Sequence, residues 1–318
     1  MNYIIIAIIL FSLELIYFKI ADAYNIIDKP NHRSSHSSIT VRGGGILFPI
    51  AILIAFLLGY ASWPLTLAVI LVAIVSFIDD VKQLSQLPRF GSHIIAVLLI
   101  AYDLNLFQDV IWALPLVLIL SIGWINAFNF MDGINGIMVL YALTAIVSFS
   151  FLSIHESSLP LLSTLGISCL VFGFFNVRTK AMTFAGDVGS ISLAVFLGYF
   201  MIKTILDSGQ FGYILFFSIY GIDSIITIIY RIKKRENILQ AHRSHLYQYL
   251  VNELGFSHIM VSIIYAGIQL LVNAIAFYLD MKGFLSLSIS MLVLLILTSI
   301  YLGVRTIVIR RMDSVIRI

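Results

Sequence analysis

The chain of 318 residues has one cysteine, six prolines, 19 Lys or Arg and 16 Asp or Glu. The lone thiol, Cys169, lies in an apolar stretch, which excludes an intramolecular disulfide and leaves the redox compartment open. Charged residues make up 11% of the chain and apolar ones 60%. That leaves too little polar surface to coat a soluble globule of this length. The N-terminal MNYIIIAIILFSLELIYF lacks a basic n-region and an A-x-A-like site, so it reads as a first span and not a cleaved signal. Internal repeats and low-complexity tracts are missing too, as is any stretch fit for a separate soluble domain. The whole of 1–318 reads as one integral membrane domain.

What is present is a series of apolar windows, mostly of about 17 to 22 residues, the length that crosses a ~30 Å hydrocarbon core. They fall near 1–20, 44–62, 63–78, 91–104, 110–128, 134–154, 159–176, 188–206, 211–231, 258–279 and 283–304. The expected fold is an all-α polytopic membrane protein with about eleven transmembrane helices. Every Lys and Arg except Lys203 and Lys282 lies at or beside the odd-to-even joints or in the C-terminal tail. The positive-inside rule then places those joints and the C-terminus in the cytoplasm and the N-terminus in the periplasm.

Four polar clusters fall on that expected cytoplasmic face. Asp79 and Asp80 close the third span, where the helix dipole disfavours negative charge and adjacent carboxylates repel unless a cation or proton holds them. In NAFNFMDGINGI, Asn126, Asn129, Asp132 and Asn135 recur every three residues, and the first three share one arc of a continuing helix. The stretch FAGDVGS opens the eighth span with Asp187, and the longest loop carries His242, Arg243, Ser244 and His245. Each cluster also has a plain structural reading. Paired acids mark a water boundary, Asp187 is a good N-cap, the amide ladder can close a helix junction, and HRSH can be a solvated basic loop. Two His three apart can bind a metal, while the neighbouring Arg243 and the RIKKRE run favour phosphate or anionic headgroups. Together the acids suit a hard cation such as Mg²⁺, which takes one or two carboxylates plus substrate phosphate oxygens. The basic groups suit phosphates, and phosphoryl transfer needs mainly positioning and charge neutralisation. A lipid phosphate meeting a soluble phosphorylated donor is the reaction this placement proposes.

The motifs DKPNHRSSHSSITVRGGGI, FIDDVKQLS, NAFNFMDGINGI, FAGDVGS and HRSHLYQ, in that order from about residue 25 to 250, resemble the polyprenyl-phosphate N-acetylhexosamine-1-phosphate transferases. The resemblance implies transfer of a sugar 1-phosphate from a UDP-sugar to undecaprenyl phosphate, with release of UMP. It implies Mg²⁺ as cofactor, with Mn²⁺ able to substitute, held by Asp187 with Asn129 as co-ligand. By the same resemblance Asp79 and Asp80 handle the acceptor phosphate. Phe184 stacks on uracil while Asp132, Gly133 and Asn135 line the nucleotide pocket. His242, Arg243 and His245 hold the donor's phosphates or sugar. The implied partners are undecaprenyl phosphate, a UDP-N-acetyl amino sugar, membrane lipid and, in a homodimer, a second copy; nucleic acid is not among them. The implied location is the bacterial inner membrane, with the site facing the cytoplasm.

The HRSH spelling resembles the O-antigen and capsule initiators more than the peptidoglycan enzyme. Asn135 stands where many family members carry a second Asp, and Ile39-Thr40-Val41-Arg42 stands where a proline is common. Three rival readings come from other classes; one, a lipid-synthesising alcohol phosphotransferase, shares an Asp-Gly motif but needs further acids downstream, which GINGIMVLYALTAIV lacks. The stretch 184–187 resembles the Gly-x-Gly-Asp of intramembrane aspartyl proteases, but lacks its first glycine. A polytopic transporter would prefer charged or broken segments near the midplane. Asp223 is the one acid expected there, read as a buried structural partner or part of a lipid groove.

Overall fold

The computed structural model describes residues 2–30, 35, 38–237 and 243–316, with side chains to 312. Its helices are α1 (Tyr3–Ala23), α2 (Leu47–Leu57), α3 (Trp63–Val81), α4 (Gln86–Asp103), the short α5 (Leu106–Asp109), α6 (Leu114–Phe130) and α7 (Ile137–Ser150). They continue with α8 (Leu159–Asn176), α9 (Gly186–Ser208), α10 (Ser218–Lys233), the short α11 (Leu246–Asn252), α12 (His258–Met281) and α13 (Leu287–Ile316). Local chemistry sets many of the ends. Asn2, Ser62 and Ser257 cap α1, α3 and α12 through their side-chain oxygens, and prolines sit in the first turns of α3, α6 and α8.

All eleven apolar windows contain a helix, and among the described residues eight helical segments are long and apolar enough to cross a membrane alone. The segments Gly44–Leu57 and Ile137–Ser150 are shorter. At 1.5 Å per residue they reach about 21 Å, less than the ~30 Å core. Helix α4 opens on Gln86, Arg89, Ser92 and His93, so its apolar part is brief. At the other extreme, α13 runs through RTIVIRR, which the sequence pattern left as a tail.

Helix α9 is the most enclosed of the long segments and packs against α2, α3, α6 and α7. Its N-terminus therefore sits where several joints meet. A two-residue ribbon forms there, β1 (Ile27–Asp28) antiparallel to β2 (Thr40–Val41), with Ile27 opposite Val41. Val41 also bridges to Thr183, and its carbonyl accepts the Phe184 N–H at 2.8 Å. The N–H groups of Gly44 and Gly45 then donate to the carbonyls of Phe184 and Ala185 at 3.0 and 3.1 Å. The first and fourth of these odd-to-even joints are thus laced together by backbone, and Thr183 Oγ1 adds a bond to the Val41 carbonyl at 3.2 Å.

Candidate active site

The lacing places a cavity of about 270 Å³ at that end of the bundle. Asn129, Asp132, Gly133, Asn135, Phe184 and Asp187 all line it, as does Arg42. Six residues expected to bind metal or nucleotide are therefore brought together from two distant stretches. The amide ladder divides its labour. Asn126 turns back to the Ile122 carbonyl at 2.8 Å, and Asn129 Oδ1 accepts from Ser190 Oγ at 2.6 Å. Asn135 Nδ2 donates to the Arg178 and Thr179 carbonyls at 2.8 and 3.3 Å. Asn176 bridges the same joints, accepting from Gly136 N at 2.8 Å and donating to Thr183 O at 2.9 Å.

Asp79 and Asp80 do not line the cavity; they stand behind its rim. The Asp80 side chain is wholly buried and accepts the Asp187 and Val188 N–H groups, one on each oxygen, both at 3.0 Å. It is an anion seated on the N-terminus of α9, where the helix dipole favours negative charge. Gly186 makes this approach geometrically open: its φ is +71°, and a Cβ there would lie 2.5 Å from Asp80 Oδ2. Arg42 Nε lies 2.7 Å from Asp80 Oδ1, and Arg42 Nη2 lies 3.7 Å from Asp187 Oδ1. Arg89 spans Asp79 at 3.0 Å and Asp187 at 3.2 Å. Asp79 also accepts the Leu84 N–H at 2.6 Å. Three carboxylates and two guanidiniums therefore alternate along the rim. The repulsion that the paired acids imply is met here by arginines and backbone.

Asp132 is different. Among the described residues none makes a hydrogen bond or ion pair to its carboxylate. Burial first, then the charges of Asp187 and Asp80, push its acid up to about 7, with Arg42 opposing. Counting Asp79, Asp80, Asp132 and Asp187 against Arg42 and Arg89 leaves the ionised cluster negative by two, before Asp28 on the cavity wall is added. No group of three or more His, Cys, Asp or Glu among the described residues is arranged to hold a metal. A dication that takes only one or two carboxylates and finishes its shell with phosphate oxygens and water fits this donor set. Asp187, Asp132 and Asn129 line the same cavity and are the groups that could hold it.

Of the HRSH loop, the structure describes residues 243–245. His242 lies outside the described residues. Arg243 Nη2 lies 3.7 Å from Glu253 Oε1, and Arg243 is not among the lining residues. His245 is only 1% exposed; it begins α11 and its Nδ1 lies 3.0 Å from Asp223 Oδ1. From this loop it is Gln248 that reaches the cavity, while Tyr247 donates to the Phe130 carbonyl at 3.0 Å and lies directly over Gly133. Arg89, Gln248 and His258 escaped the sequence reading. A lone Arg near a span end looks like ordinary positive-inside charge, and His258 is an isolated His at a helix start.

The chain is similar in sequence to known proteins. A model of glycosyl transferase family 4 matches residues 62–205. A probable undecaprenyl-phosphate N-acetylglucosaminyl 1-phosphate transferase of Bacillus subtilis is 26% identical over 277 residues, 78% of this chain and 75% of that protein. A phospho-N-acetylmuramoyl-pentapeptide-transferase of Thermotoga maritima is 30% identical over 208 residues, 58% of this chain and 67% of the relative. An undecaprenyl-phosphate alpha-N-acetylglucosaminyl 1-phosphate transferase of Thermotoga maritima is 25% identical over 254 residues, 78% and 81% of the two chains. Geometry and similarity converge, and the chain belongs to the polyprenyl-phosphate N-acetylhexosamine-1-phosphate transferases of glycosyl transferase family 4.

Proposed function

We propose that this protein transfers an N-acetylhexosamine 1-phosphate from a UDP-sugar to undecaprenyl phosphate. An acceptor phosphate oxygen attacks the β-phosphorus of the donor, the bond to the bridging oxygen breaks, and UMP leaves. The observation that carries this reading is the rim in which Arg42 and Arg89 both converge on Asp187, beside a carboxylate-rich cavity. Two guanidiniums can grip phosphate oxygens in pairs, and acids beside them can hold a dication.

In this account Asp187 and Asp132, with Asn129, hold Mg²⁺, which supplies charge neutralisation to the diphosphate when bound. Mn²⁺ is expected to substitute. Asp80 and Asp79 act on the acceptor side by orienting Arg42 and Arg89. The acceptor phosphate is already largely ionised near neutral pH, so a strong base is not required of them. Phe184 offers a face for the uracil ring, and Asn135 and Gly133 shape the floor beneath the nucleotide. Arg243 and His242 remain proposed for the outer part of the donor, through the sugar or its phosphates.

The chain is read as one transferase domain with eleven helices in the bacterial inner membrane. The site and C-terminus face the cytoplasm, and the product feeds O-antigen or another surface polysaccharide. Residues from the first, third, fourth and fifth odd-to-even joints line one cavity, which supports a single face for those joints. Family membership argues against the protease and transporter readings. The test is release of UMP from UDP-N-acetylhexosamines by purified protein. Release that requires both undecaprenyl phosphate and Mg²⁺ supports the proposal. Failure with every donor, under conditions where a relative turns over, overturns it.

A further inference from the structure

Helix α13 is the least enclosed of the long segments, yet it turns Tyr301 and Arg305 inward. Tyr301 Oη donates to Asp223 Oδ1 at 3.0 Å. Arg305, 3% exposed, donates to Tyr301 Oη at 2.8 Å, to Thr227 Oγ1 at 3.2 Å and to the Ser244 carbonyl at 2.9 Å. Asp223 is fully buried within α10. It also accepts from Tyr265 Oη of α12 at 2.6 Å and from the Leu246 N–H of α11 at 3.3 Å, and pairs with His245. One carboxylate thus gathers four helices. A buried charge is expensive to assemble and weak evidence of stabilisation, so its use here lies in where it fixes its partners.

Those partners lead to the cavity. His245 caps α11; its N–H donates to Gln248 Oε1 at 3.1 Å, and its ring stacks 5.6 Å from that of Tyr247. Helix α11 has seven residues, too few to hold itself in water, so its place depends on such anchors. Gln248 lines the cavity and Tyr247 closes over Gly133.

We infer that Asp223, Tyr301 and Arg305 are positioning residues that set the donor-side wall of the cavity by fixing α11 through His245. This rests on the proposed use of a nucleotide-sugar donor. His245 is then a strut under the wall, in place of the phosphate ligand its motif implies, and α13 reaches the site from the lipid-facing side.

The test uses full-length Tyr301→Phe, Arg305→Lys and Asp223→Asn proteins in detergent. Each is expected to raise the donor KM about tenfold, the effect of losing uniform binding, while kcat and the KM for undecaprenyl phosphate stay within about threefold. The Tyr301→Phe/Arg305→Lys double variant should be little worse than either single one, because both act on one strut. Amide hydrogen exchange should rise in 246–252 and not in α9. Unchanged donor KM, or a fall in kcat with both KM values intact, overturns the inference. So does exchange in α11 that matches wild type. If Asp223→Asn does not fold, Tyr301→Phe decides. If wild type turns over no donor, the functional reading fails by itself, while the exchange data still judge the strut.

Discussion

Asp80 accepts the backbone N–H of Asp187 and of Val188, each at 3.0 Å, so the carboxylate closing one helix caps the helix that presents the other acid. This relationship ties the FIDD and FAGD motifs into one unit, and it makes separable predictions for their members.

Asp80→Asn offers one acceptor where two N–H groups need two, and leaves Arg42 without its closest partner. The loss should be about 2 kcal/mol, as for a hydrogen bond to a charged group, with turnover down about a hundredfold through misplaced Arg42. Thermal melts in detergent and steady-state rates check both. An unshifted melt would show that the cap contributes nothing.

Asp187→Asn keeps the backbone N–H that Asp80 holds, so its melt should stay near that of wild type. Turnover should fall to background, because the charge that attracts the dication and both arginines is gone. Near-normal activity would remove Asp187 from the metal site.

Arg89→Lys keeps one charge but cannot span Asp79 and Asp187 together. A fall of about ten- to a hundredfold in kcat/KM is expected, of the size usual for a lost charge-assisted contact. Equal activity of the two proteins would mean that the span is incidental.

Asp132 carries the pH prediction. Its acid is raised from the ordinary 3.8 to about 7, so its contribution to stability is whole below pH 4 and lost as pH rises through 7. Asp187, Asp80 and Arg42 face it throughout. Metal-free wild type should therefore melt at falling temperatures across that window. Asp132→Asn should flatten the slope, and Mg²⁺ should raise the neutral-pH melt of wild type more than that of the variant. Parallel slopes would assign the effect to other groups.

Gly133→Ala should cost activity, because a methyl group there runs into the Tyr247 hydroxyl. Adding Tyr247→Phe removes that oxygen and should recover part of the loss. A double variant no better than the single one would place the damage elsewhere.

Much of the site was legible because its motifs combine residue types that apolar spans rarely tolerate: FIDD, the amide ladder and FAGD. Arg89 was not, since pairing across a joint leaves no mark on local spacing. The Asp223 contact of His245 was equally hidden: a ligand His and a helix-capping His look alike in HRSH, and the partner on α10 is 22 residues away in the chain. The ribbon at Ile27–Asp28 and Thr40–Val41 is two residues per strand, below any readable alternation. Apolar run length overstated α2 and α7, because flanking residues such as Ile46, Leu58, Tyr60, Ile134, Phe151 and Leu152 are apolar without being α-helical.

The proposed reaction moves a sugar phosphate, as distinct from a sugar alone. A UDP-N-acetylhexosamine labelled at its β-phosphorus, incubated with the protein, undecaprenyl phosphate and Mg²⁺, tests it most directly. The label is expected to move into the lipid fraction in step with UMP release. Label left in soluble UDP while the sugar becomes lipid-bound, or no lipid label from any donor, would contradict it.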